Sequence, residues 1–144
     1  MDQIDLKILE ALQQNARISF SELGRTINMT QPAVSERVRK LEERGVIDAY
    51  RTIVSPEKLG KTVTAFVLVQ TNDCGRLTAF GHQSEDVVEM YQLSGQFNFM
   101  LKVQTSSMSS LQDFLSRCSQ YGFTTTMTVL STPLAFKGIS AESP

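Results

Sequence analysis

Gln31, Ser35 and Arg39 stand four residues apart, so on a helix an amide, a hydroxyl and a guanidinium share one face. These groups suit the edges of base pairs. An amide can pair with adenine, a hydroxyl with any base, and a guanidinium with guanine or with phosphate. Glu36, Arg37 and Lys40 flank that face. Arg37, Arg39 and Lys40 can reach phosphates. Thr30, at the start of the segment, can offer a hydroxyl or a backbone N–H to a phosphate. The chemistry implied is double-stranded DNA recognition in the major groove. A second reading stands beside it. The run Glu36 to Arg44 can be a solvated face stitched by i,i+4 pairs such as Arg39–Glu43 and Glu36–Lys40.

Other chemistries find less support. Asp73, Cys74, His82, Glu85 and Asp86 lie in one stretch, but Cys74 and His82 are eight residues apart across a loop and a helix. A cysteine nucleophile needs its base within hydrogen-bond reach. The 8 glycines are scattered and form no phosphate loop, and His82 is the only histidine. Neither an enzyme nor a metal site nor a cofactor is expected. Cys74 and Cys118 have no metal-ligand spacing. Cys118 falls on an apolar helix face and reads as buried and inert. The negative charge of Asp73 beside Cys74 argues against easy oxidation.

Size and charge narrow the classes further. The chain has 144 residues, 14 Lys and Arg, and 15 Asp and Glu, for a net charge of -1. That length suits one domain or two small ones. No apolar run approaches the roughly 18–20 residues that span a bilayer, so no membrane partner is expected. The acidic start, Met1-Asp2-Gln3-Ile4-Asp5, is unlike a secretory signal. A cytoplasmic location with two free thiols follows as an expectation. Residues 1–55 carry eight basic and eight acidic side chains. DNA binding by this half therefore needs charge sorted onto one face and reinforcement by oligomerisation.

The elements that would position these groups divide near residue 60. Ile4, Ile8, Leu9 and Leu12 mark a first helix, with Asp2 or Asp5 at its start. Ser19-Phe20-Ser21-Glu22 is a capping box that opens a short second helix. Asn28 suits a left-handed stop. Thr30 opens a third helix with Pro32 in its first turn and Val34, Val38 and Leu41 as its apolar stripe. Helix, short helix, tight turn and helix make a helix-turn-helix. Residues 46–55 read as a strand or short hairpin, which would make the unit winged. Residues 55–60, Ser-Pro-Glu-Lys-Leu-Gly, read as the hinge. The domain assignment is 1–54 for the winged helix-turn-helix, 55–62 for the linker and 63–144 for the second domain.

From Val63 the pattern changes to strands at 63–71, 87–93, 97–104 and 123–130, with helices at 76–83 and 108–121. The order βαββαβ is the ferredoxin-like arrangement, and the fold class is α+β. Its strands carry apolar residues at nearly every position. The sheet face without helices thus calls for a partner, and a face-to-face homodimer is the economical one. Leu134-Ala135-Phe136 reads as a short extra strand and residues 140–144 as a frayed end.

Taken together, these motifs resemble the Lrp/AsnC, or feast/famine, family of transcription regulators over nearly the full length. Asp2-x-x-Asp5-x-x-Ile8-Leu9 is similar to its first helix, residues 21–40 to its helix-turn-helix, and Pro56 to Gly60 to its linker. Ser94 to Lys102 sits where that family carries its effector signature. The resemblance implies a sequence-specific DNA-binding regulator whose second domain dimerises. It implies further assembly, often to octamers, and a small-molecule effector, typically an amino acid. Carried over by position, Thr30, Gln31, Pro32, Ser35, Glu36, Arg37, Arg39 and Lys40 lie at DNA, and Gly95, Gln96, Phe97 and Asn98 at the effector. The alternatives are an effector-independent, chromatin-like DNA organiser and a ferredoxin-like enzyme.

One departure bears on the effector. The family's turn commonly carries two aspartates, and this chain has Gln96 and Asn98. Aspartate can pair with an α-ammonium, whereas an amide supplies no negative charge. The expectation is a neutral or amide-bearing ligand, or none, in place of an ordinary amino acid. Calorimetry against the twenty amino acids checks this: none should bind at micromolar concentration, and one that did would overturn it.

Overall fold

The computed structural model describes residues 1–140. They form two compact units, Met1–Thr52 joined by the segment beginning at Leu134, and Ile53–Pro133. The first unit holds helices α1 (Gln3–Gln14), α2 (Phe20–Ile27) and α3 (Gln31–Glu43). Each start has a local cause. Asp2 and Asp5 exchange hydrogen bonds as a capping box at α1, and the Ser19 hydroxyl accepts from the Glu22 N–H at α2. The α2–α3 turn is made by Asn28, whose backbone is left-handed at φ 58°. Ile8, Leu12, Leu23, Val34, Val38 and Leu41 are buried together, and Ile4, Ile18, Phe20, Ile27 and Ile47 pack around them. Three short amphipathic helices thus close one small core.

Residues 46–55 form no strand, contrary to the expectation of a wing. A strand needs a hydrogen-bonded neighbour, and nothing in the described residues pairs with this segment. Ile53 and Val54 are exposed. Leu134-Ala135-Phe136 likewise forms no strand. The segment after it is held by Gln13, whose Nε2 donates to the Ile139 carbonyl at 3.1 Å and whose Oε1 accepts from the Ile139 N–H at 2.7 Å. Of the chain end read as frayed, residues 141–144 lie outside the described residues.

The second unit runs β1 (Val63–Gln70), α4 (Cys74–Gln83), β2 (Val87–Gln92), β3 (Phe99–Thr105), α5 (Met108–Cys118) and β4 (Phe123–Thr128). The strand order is β2-β3-β1-β4, with all three pairings antiparallel. This is the ferredoxin-like arrangement that the sequence pattern implies. Alternation sends Ala65, Val67 and Val69 to one face, where Leu101, Val103, Leu77, Leu111, Phe114 and Cys118 complete the core. Burial pushes the Cys118 thiol up to about 11, so it stays a neutral packing group. The opposite face carries Phe66, Leu68, Met100, Lys102, Met127, Glu89 and Tyr91, and no helix of this unit lies over it. Lys102 Nζ meets Glu89 Oε1 at 2.8 Å between register partners, and the Tyr91 hydroxyl donates to Glu89 Oε2 at 2.6 Å. That face is therefore an apolar stripe bordered by one ion pair.

Gly24 is the tightest point of the helix-turn-helix. A Cβ there would lie 2.5 Å from the Met29 carbonyl oxygen, which is backbone and cannot swing away. Gly24→Ala is expected to destabilise the first unit by about 1–3 kcal/mol. Urea unfolding of the full chain measures this, and an unchanged midpoint would contradict it.

Candidate nucleic-acid interface and effector turn

The helix α3 presents its groups in two registers. Val34, Val38 and Leu41 are buried, which fixes the rotation of the helix and turns Gln31, Pro32, Ser35, Glu36, Arg39 and Lys40 to solvent. Thr30 caps the helix with an extended backbone, but its hydroxyl makes no capping bond. An N-terminal turn with free N–H groups and an uncommitted hydroxyl is suited to an anionic oxygen.

The cationic side chains of α3, Arg37, Arg39 and Lys40, are all engaged with carboxylates. Arg37 turns away from the outer face. Its Nη1 donates to Asp2 Oδ2 and to Asp5 Oδ1, each at 2.7 Å. Asp5 is largely buried, and its other oxygen accepts the Asp2 N–H at 3.1 Å. The Asp5 N–H, and then the Arg37 guanidinium, hold the Asp2 carboxyl below the usual carboxylate range. Arg37 thus staples the capping box of α1 to the middle of α3. Its guanidinium is engaged by these two carboxylates.

Arg39 is forked by Glu36, with Nε to Oε2 at 3.0 Å and Nη2 to Oε1 at 2.7 Å, and its Nη1 donates to Glu43. Lys40 Nζ lies 3.4 Å from Glu36 Oε1. Both i,i+4 pairs named from the sequence are therefore present. Hydrogen bonds from Arg39, opposed in part by desolvation, bring the Glu36 carboxyl down to about 2. It stays ionised at any physiological pH. A groove of about 350 Å³ runs along this side, lined by Arg37, Lys40 and Arg44 with Asp5 and Glu36 among them.

The turn Ser94–Asn98 lies between β2 and β3. Gly95 holds φ 121°, a conformation that favours glycine. Gln96 is exposed, and the Phe97 ring stacks on Phe123 of β4 with centroids 6.4 Å apart. Asn98 faces inward. Its Oδ1 accepts from the Thr71 N–H at 2.9 Å, and its Nδ2 donates to the Thr71 carbonyl at 2.8 Å. The amide extends the sheet by one side-chain bridge where β1 ends. Thr71 is buried; its hydroxyl donates to the Tyr121 carbonyl at 2.5 Å and accepts from the Asp73 N–H at 3.0 Å. The structure therefore brings Gln96 and Phe97 to the surface of the turn and commits Asn98 to the backbone. Cys74 is exposed, and its Sγ lies 3.9 Å from Asn98 Nδ2.

Sequence reasoning missed Thr71 and the Asp2–Asp5–Arg37 staple. The i,i+3 spacing of the two aspartates was a legible capping signal. Their third partner lies more than thirty residues away, and only the fold brings it in.

The comparisons with known proteins agree with this geometry. An AsnC-type helix-turn-helix domain matches residues 1–42, and an Lrp/AsnC ligand binding domain matches residues 62–139. The chain belongs to the Lrp/AsnC family. It is 41% identical to an uncharacterized HTH-type transcriptional regulator, YezC, of Bacillus subtilis, over 91% of this chain and 94% of that protein. The structure of LrpC from B. subtilis superposes with a TM-score of 0.88 at 33% identity, covering 94% of this chain and 99% of that one. AsnC from E. coli gives 0.85 at 30% identity, covering 95% and 97%.

The role of Asn98 has a direct test. Asn98→Asp keeps the shape, removes the donor to the Thr71 carbonyl and sets two oxygens against each other. A loss of about 1–3 kcal/mol is expected at neutral pH. Part of it should return as pH falls and the introduced carboxyl regains a proton to donate. Chemical unfolding at pH 7 and pH 4 reads both; equal stability to the parent at pH 7 would sink the bridge.

Proposed function

We propose that this Lrp/AsnC-family regulator binds double-stranded DNA in a sequence-specific manner through the outer face of α3, working as a homodimer or a larger assembly of dimers. The observation that carries the reading is the division of labour on α3. One face is locked by Val34, Val38 and Leu41, and the staple from Arg37 to Asp2 and Asp5 sets its tilt. Gln31 and Ser35 are left exposed at the front of the helix behind the free hydroxyl of Thr30. In this reading Gln31 and Ser35 touch base edges, and Thr30 and the first-turn N–H groups touch phosphate. Pro32 presets the first turn, and Arg39 and Lys40 approach the backbone or a guanine. Arg37 acts by positioning.

Dimerisation rests on the uncovered sheet face. Phe66 sits between Met127 and Lys102, and Leu68 between Met100 and Thr125, in register. A second copy of the chain covers this stripe at least cost. Two copies then present two α3 helices, and their effective concentration compensates for a helix-turn-helix unit of zero net charge.

The effector reading is narrower. Between Ser94 and Asn98 there is no carboxylate, and the Asn98 amide is already satisfied. Gln96, Phe97 and the Gly95 backbone are what the turn can offer. They fit a neutral or amide-bearing ligand.

Fluorescence anisotropy with a duplex selected from a random-sequence pool tests the DNA reading. Affinity should fall steeply from 50 to 200 mM salt, and Gln31→Ala or Ser35→Ala should lower it about tenfold on the selected duplex while changing bulk-DNA binding little. Light scattering should give a dimer or a multiple of it, and Phe66→Asp should yield monomers that bind weakly. DNA binding indifferent to α3 changes, or a native monomer, would contradict the proposal.

A further inference from the structure

The charge arrangement on α3 supports a more specific statement, which rests on the DNA reading above. Every cation within the helix is answered by a carboxylate of the same unit: Arg37 by Asp2 and Asp5, Arg39 by Glu36 and Glu43, Lys40 by Glu36. Glu36 stands out among them. It engages two cations, lies next to Ser35 on the exposed side and takes both Nε and Nη2 of Arg39 in a bidentate fork. That fork has the same geometry with which a guanidinium binds phosphate. A phosphate must therefore displace an equivalent partner that is already in place.

We infer that Glu36 is a specificity-determining residue: it holds Arg39 and Lys40 back from the phosphate backbone, so that they engage DNA more readily where the groove offers the displaced carboxylate a base-edge amino group. Each base pair carries its major-groove amino group on only one of its two bases, so a non-specific duplex need not present one where Glu36 sits. Binding such a duplex breaks the fork and leaves the Glu36 carboxylate facing a polyanion. A matching site offers cytosine N4 or adenine N6 hydrogens, which a carboxylate accepts. The same residue therefore penalises the wrong sequence more than the right one, which is how discrimination is built from an unfavourable contact as well as a favourable one. Exposed pairs of this kind are individually weak, so the effect is a modest factor and not an on–off switch.

The test uses the full chain carrying Glu36→Gln, a change of one charge at an exposed helix position that leaves the core untouched. Two probes are needed: a duplex selected by the parent protein from a random pool, and a duplex of the same composition with its sequence scrambled. Binding to the scrambled duplex should tighten about fivefold at 50 mM salt, with the salt slope steeper by about one. The ratio of selected to non-specific affinity should fall at least threefold. In an Arg39→Gln background the same change should have a smaller effect, because one of the two cations that Glu36 restrains is gone. A ratio that stays level or rises overturns the inference. Should the parent protein show no salt-dependent duplex binding at all, it is the DNA reading that fails.

Discussion

A four-stranded sheet that buries one face and leaves the other bare is the constraint on which everything else turns. The helices α4 and α5 occupy one side with Leu77, Leu111, Phe114 and Cys118. The other side carries Phe66, Leu68, Met100 and Met127 in adjacent register positions. Burying apolar area is worth about 25 cal/mol per Å², so a partner that covered the bare side would be held by it. Ile53 and Val54 ahead of β1 and Leu130 and Leu134 after β4 are exposed as well. On the proposed dimer, the sheet supplies what the helix-turn-helix lacks, a second copy of the same unit.

The first unit is stable without being sticky. Its core is six buried aliphatic side chains, and the eight basic and eight acidic residues within 1–55 cancel. Within it, carboxylates are placed to orient cations before any DNA arrives. The Arg37 staple couples the start of α1 to α3, so α3 is held by an ionic contact as well as by packing. A rigid, neutral reader of low intrinsic affinity is what a dimer can use, because avidity amplifies small differences between sequences.

Much of this was legible in the residues because it is local. Ser19 and Glu22, Asn28 and Pro32 each announce a helix boundary through hydrogen bonds to neighbours in sequence. The valines at 34 and 38 and Leu41 announce a face. The strand pattern gave the order of the second unit, with α4 beginning two residues earlier than its apolar spacing implied because Asp73 caps it. The wing was not legible. The apolar run at 46–55 has strand character, but strand formation depends on a neighbour, and the described residues supply none. The partners of Arg37 and Asn98 were hidden for the same reason: only in the folded chain do Asp2 and Asp5 meet Arg37, and Thr71 both ends of the Asn98 amide.

The most direct measurement is a hydroxyl-radical footprint of the full chain on a selected duplex. Two copies of α3 in successive major grooves should protect paired patches whose centres lie about one helical turn, or whole multiples of it, apart, arranged symmetrically. A single unpaired patch, or protection unrelated to helical phase, would contradict the account of a neutral reader made effective by a sheet-mediated dimer.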